Sequence, residues 1–124
     1  MSNGQFKVIS RLSGDVAIVA PQGYLNNLAG ESLVRECRAQ LESGIRKIVL
    51  DFSGVDVINS IGISFLLTTM EELRSSQATL CFTSMNARHR DTFEMLGLAR
   101  FLKVFETEDS ALQYLHGEGK SHGA

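Results

Sequence analysis

Ile48-Val49-Leu50-Asp51-Phe52-Ser53-Gly54-Val55-Asp56-Val57-Ile58-Asn59-Ser60-Ile61-Gly62 is the stretch that decides the fold. It opens on a short apolar strand, Ile48 to Leu50, and leads into an apolar run with helical spacing, Ile61 to Leu73. The residues between them read as a loop, so the segment is strand, loop and helix N-terminus, with Ser60 where the helix begins. A serine there has two uses. It caps the helix by accepting a hydrogen bond from a free backbone N–H, or it accepts a phosphoryl group, whose charge the positive helix end tolerates.

Working outward, the pattern alternates strands and helices. Phe6 to Leu12 and the apolar run Val16 to Ala20 flank the turn signal Ser13-Gly14-Asp15, which predicts a hairpin. Pro21-Gln22-Gly23 is expected to end the second strand, because proline has no N–H to give to a ladder. Leu33, Val34, Cys37 and Leu41 share one face of a helix over about Leu28 to Glu42, and Gly44 lies just past its end. Lys47 to Phe52 is the third strand and Ala78 to Thr83 the fourth. Asn86 is placed to cap a helix from Ala87 to Leu96, which Gly97 closes. Phe101 to Phe105 reads as a fifth strand, and Thr107 as the cap of a last helix through Leu115.

The order is β-β-α-β-α-β-α-β-α. Strands joined by helices favour parallel neighbours and right-handed crossovers, and the opening hairpin adds an antiparallel edge. The fold class is therefore α/β, a mixed sheet of about five strands with helices packed on it. One domain spans 1–124, with its core in about 6–116 and a frayed tail at 117–124. On the helix after Ser60, Ile63, Leu66, Met70 and Leu73 form the face expected to pack on the sheet, with Gly62 and Leu67 at its margins. Ser60, Ser64, Thr68, Glu71 and Glu72 share the other side with two apolar residues, Ile61 and Phe65. That pair beside a helix N-terminus is either a small binding patch or, for Phe65, a ring tucked under a neighbouring helix.

Composition removes several functions. The chain has 124 residues, 44% of them hydrophobic, and a formal charge of −2 from 12 basic and 14 acidic residues. No basic run suggests nucleic acid. No apolar stretch reaches the roughly 18 residues that span a bilayer, and Met-Ser-Asn-Gly-Gln has no secretory character, so a cytoplasmic protein is expected. Cys37 and Cys81 are expected to remain buried thiols. His89, His116 and His122 have no zinc-like spacing and are expected to be solvated, His89 on a surface helix among Arg88, Arg90 and Asp91. Nothing ties His89 to Ser60 or to a cysteine, so no catalytic residues, metal or cofactor are assigned. Gly119-Lys120-Ser121 resembles the end of a phosphate-binding loop, but position 114, where that motif needs glycine, is Tyr114. Oligomeric state is open.

The motifs, taken in order, resemble those of STAS domains, the fold of bacterial anti-sigma factor antagonists. Ile48 to Val55 resembles the family's strand ending in an acidic-apolar-serine turn. Asn59-Ser60-Ile61-Gly62 resembles its Asp-Ser-Ser/Thr-Gly signature, and Gly23-Tyr24-Leu25-Asn26 stands in the place of Gly-Glu-Leu-Asp. Phe93 to Leu98, Phe101 to Phe105 and Thr107 to Leu115 resemble the third helix, last strand and closing helix. The match covers roughly residues 6 to 116. It implies partner switching: the domain binds an anti-sigma factor that is also a serine kinase, phosphorylation at Ser60 ends the complex, and a serine/threonine phosphatase resets it. The implied contact residues are Asn26, Asn27, Asn59, Ser60, Ile61, Gly62, Ser64 and Phe65. Asn26 and Asn59 depart from the family's carboxylates and Ile61 from a small hydroxyl residue. Those departures fit a second reading, a structural STAS subunit of a larger assembly such as a lipid-transport ABC system or a stress-sensing complex.

Overall fold

The computed structural model describes residues 6–98, 100 and 102–118. These form ten elements in the order β1 Lys7–Ser13, β2 Val16–Leu25, α1 Asn27–Glu42, β3 Lys47–Asp51, β4 Val55–Ile58, α2 Ser60–Ser75, β5 Thr79–Thr83, α3 Ala87–Met95, β6 Val104–Phe105 and α4 Glu108–Glu118. The sheet runs β1-β2-β3-β5-β6, with β4 beside the far end of β2. Only β1 is antiparallel to its neighbour; Ser13 pairs with Val16 across a Gly14-Asp15 turn in which Gly14 takes φ +63°. The other pairings are parallel. The expected mixed α/β sheet is what forms.

Two expectations about strands are corrected. Val55 to Ile58, read as loop, is β4, a sixth strand that pairs Val55 with Gly23 and Ile58 with Leu25. Pro21 does not end β2; the strand runs on to Leu25, with Pro21 opposite Val8. The pairing explains this. β2 pairs with β3 only as far as Val19 and with β4 only from Gly23, so proline occupies the gap where no parallel neighbour needs its N–H. The last strand is also shorter than expected, Val104–Phe105; Phe101 lies outside the described residues.

Both faces of the sheet are covered, so β2 and β3 read as unbroken apolar runs rather than alternating ones. Ala17, Val19, Ile48, Leu50 and Phe82 pack toward α1, α2 and α3 with Leu33, Leu66 and Phe93. Val16, Ile18, Val49 and Cys81 pack toward α4 with Ala111 and Leu115. The strand period of two sends successive residues to these opposite cores. Cys37 and Cys81 are both buried, and burial pushes the Cys37 thiol up to about 12. α4 continues to Glu118, past the expected end at Leu115. Gly119-Lys120-Ser121 and His122 lie outside the described residues. Among the described residues no helix is long and apolar enough to cross a membrane.

Candidate functional site

The end of β2 and the end of β4 bring two helix starts together. Leu25 closes β2, and its carbonyl accepts the Asn59 N–H at 3.2 Å. The same carbonyl lies against the Cα of Gly62, where any Cβ would overlap it. Gly62 is therefore the spacer that lets α2 start hard against β2, a close approach only glycine permits. Asn59 Nδ2 donates to Tyr24 Oη at 3.3 Å and ties the junction from its outer side.

Both helices are capped by asparagine. Asn26 Oδ1 accepts from the Ala29 N–H at 3.1 Å, and Asn59 Oδ1 from the Gly62 N–H at 2.8 Å. The reading of Ser60 as the cap is corrected here: Asn59 has the extended cap backbone (φ −95°, ψ 177°), and Ser60 is the first helical residue. An amide oxygen caps as well as a hydroxyl does, so Ser60 is left without structural employment. It is exposed, and no hydrogen bond engages its side-chain oxygen among the described residues; only its carbonyl is used, by the Ser64 hydroxyl at 3.2 Å. Neither α1 nor α2 has an acidic residue in its first turn. The positive ends of both helices are thus not neutralised locally.

Apolar side chains surround this end. Tyr24, Leu28, Val57 and Ile61 are 38%, 55%, 50% and 50% exposed. Each stands two residues from one of the asparagine caps, and the two caps are joined through Leu25 and Tyr24. Tyr24, Leu28 and Val57 were not singled out in the sequence. Leu28 carried the available signal: it falls outside the stripe of Leu33, Val34, Cys37 and Leu41.

The residues expected at a contact surface divide into two groups. Asn27, Ser60, Ile61 and Ser64 are exposed, and Asn26 and Asn59 half-buried. Gly62 is buried and Phe65 half-buried, so neither presents a side chain freely. Phe65 belongs to the contact between α1 and α2: a Cβ on Gly30 would come within 2.6 Å of its ring. That answers the question left by its face of α2, since the ring sits under the neighbouring helix. Further along, Glu72 accepts from Arg38 at 2.8 and 2.5 Å, which holds its carboxyl below the usual range. This exposed pair contributes little to stability.

His89 is a further correction. It is not solvated; it is 3% exposed, the third residue of α3 and buried beside Phe52. The charged neighbours Arg88, Arg90 and Asp91 are exposed and masked the one inward position of that turn. Among the described residues no group of three or more His, Cys, Asp or Glu side chains could hold a metal ion.

Comparison with known proteins agrees with this architecture. The model of the STAS domain matches residues 7–111. A protein of Bordetella bronchiseptica, named BtrV and described as a candidate anti-sigma factor antagonist, is 33% identical over 93 residues, which cover 75% of this chain and 78% of that one. The crystal structure of an anti-sigma factor antagonist from Mycobacterium paratuberculosis superposes with a TM-score of 0.80 at 19% identity, covering 93% of this chain and 97% of that one. The anti-sigma factor antagonist SpoIIAA, solved unphosphorylated, superposes with a TM-score of 0.74 at 19% identity, covering 91% and 97%. Its phosphorylated Bacillus form gives 0.69 at 19% identity, covering 90% and 99%. From the length of the family match and the identity to BtrV, the chain belongs to the STAS domain family.

Proposed function

We propose that this chain is an anti-sigma factor antagonist: a non-enzymatic module that binds an anti-sigma factor through the Ser60 end of the sheet and is released by phosphorylation of Ser60. The relative BtrV is described as a candidate anti-sigma factor antagonist, and SpoIIAA exists in phosphorylated and unphosphorylated forms. The observation that carries the reading is the unengaged, exposed Ser60 hydroxyl at a helix start capped by another residue. A kinase can modify it without dismantling the cap.

The chemistry of release follows from the surroundings. A phosphoryl group adds about −1.5 to −2 charges. On the free protein, water and the uncompensated N-terminus of α2 accommodate it. Against a partner seated on Leu28, Val57 and Ile61, the same charge must be desolvated, and the complex weakens. The partner in this reading is an anti-sigma factor with serine kinase activity, and a serine/threonine phosphatase restores the binding form. Contact falls on Asn26, Asn27, Asn59, Ser60, Ile61 and Ser64, with Tyr24, Leu28 and Val57 added. Gly62 and Phe65 support that surface from beneath.

The test is incubation with an anti-sigma factor kinase and ATP, followed by mapping of the modified residue by mass spectrometry. Modification at Ser60 that Ser60→Ala abolishes is the expected result. A phosphate found only at other positions, Ser64 included, would overturn the assignment.

A further inference from the structure

α3 opens with the same cap as α2, Asn86 Oδ1 accepting from the His89 N–H at 2.8 Å, but the residue at its third position is titratable. Both ring nitrogens of His89 are shielded from solvent, and neither has a hydrogen-bond partner. The ring stands edge-on to Phe52, with centroids 5.7 Å apart and planes at 81°. Phe52 follows β3 directly, and its carbonyl accepts the Val55 N–H at 3.0 Å, closing the turn into β4. The imidazole therefore sits on the residue that closes the β3–β4 turn.

That position suits a neutral ring far better than a charged one. An imidazolium carries two N–H donors, and here neither makes a hydrogen bond; the acceptor near them is the Asp56 backbone. The first turn of α3 places the positive end of the helix beside it. Two charged side chains bear on the ring: Arg88 on α3 opposes a positive charge, and Asp56 on β4 favours one. Burial is the largest influence and pushes the pKa below the ordinary histidine value. The Asp56 backbone opposes this only in part, from outside hydrogen-bond geometry.

We propose that His89 is an acid-sensitive latch between α3 and the β3–β4 turn: the neutral ring holds the first turn of α3 on Phe52, and the protonated ring releases it. The unfolded chain takes up this proton near pH 6.5, and the folded chain only below that. Between those two points the unfolded state binds more protons, so the stability contributed by the neutral contact is complete above about pH 6.5 and is lost as pH falls toward the native value. β4 runs directly into Asn59, so release at Phe52 loosens the support of the Ser60 end.

The test follows the histidine ring protons by NMR from pH 8 to pH 5 in the full chain, native and urea-unfolded, together with amide exchange in α3 and β4. The native His89 signal should titrate at a lower pH than its unfolded counterpart. Exchange protection in α3 should fall through the same window. His89→Phe keeps an aromatic ring and removes the proton site, so protection of α3 should stay level there. Titration of native His89 at the unfolded value, unchanged protection while it titrates, or an equal loss in His89→Phe would each overturn the latch. If His89→Phe does not fold, the wild-type titration and its exchange profile decide between the same outcomes.

Discussion

The starts of α2 and α3 use one device for opposite ends. In each, an asparagine side chain accepts the N–H of the third helical residue at 2.8 Å, and that third residue is buried. In α2 it is Gly62, pressed on the Leu25 carbonyl, and the helix turns Ser60 and Ile61 outward. In α3 it is His89, and the helix turns a titratable ring inward onto Phe52. The cap itself specifies neither outcome. What differs is the third residue: glycine lets the backbone close on the sheet and leaves chemistry at the surface, whereas histidine fills the space and buries its chemistry.

The sharpest way to break this comparison is at Gly62. Gly62→Ala forces a Cβ into the Leu25 backbone, which cannot move without unpairing β2 from β4. It should cost about 3 kcal/mol or more of folding free energy, read from the urea midpoint. A cost near that of an ordinary surface change would show that α2 does not need its close approach. Next in size is Phe65→Ala. The ring packs on Gly30 of α1, so its loss should lower stability by about 2 kcal/mol in the isolated protein. An unchanged melting temperature with impaired partner binding would instead make the ring a contact residue. Smaller still are the caps. Asn59→Ala and Asn86→Ala should each cost about 1 kcal/mol, while Ser60→Ala should stay within about 0.5 kcal/mol because its hydroxyl bonds nothing. A Ser60→Ala cost matching that of Asn59→Ala would return the capping role to the serine.

Much of this architecture is legible in the residues, and the misreadings have physical causes. The helices announce themselves through caps and stripes: Asn86 and Thr107 take the capping places expected of them, and Gly97 closes α3 with φ +73°. β4 hid because Val55-Asp56-Val57-Ile58 is only four residues long, lies between a turn and a cap, and gains its strand character from β2, a partner distant in sequence. Pro21 misled because proline speaks for the donor it lacks, and only the pairing register shows that no parallel neighbour requires that donor. Asn59 and Ser60 are both good caps, so their order could not be decided before the backbone was known. His89 was hidden by charged neighbours: it lies one turn before the buried Phe93 on the inward face of α3, but Arg88, Arg90 and Asp91 crowd that spacing. The apolar surround of Ser60 was half visible: Ile61 stood out on its helix, whereas Tyr24, Leu28 and Val57 join it only when β2 and β4 end side by side.

The central claim is that the Ser60 hydroxyl is free to carry a phosphate whose charge a docked partner cannot tolerate. It is tested most directly by titrating the anti-sigma factor into unmodified protein and into protein phosphorylated stoichiometrically at Ser60. The account predicts binding weaker by about tenfold or more, ~1.4 kcal/mol, with the phosphorylated chain still folded. Equal affinity for the two forms would contradict it.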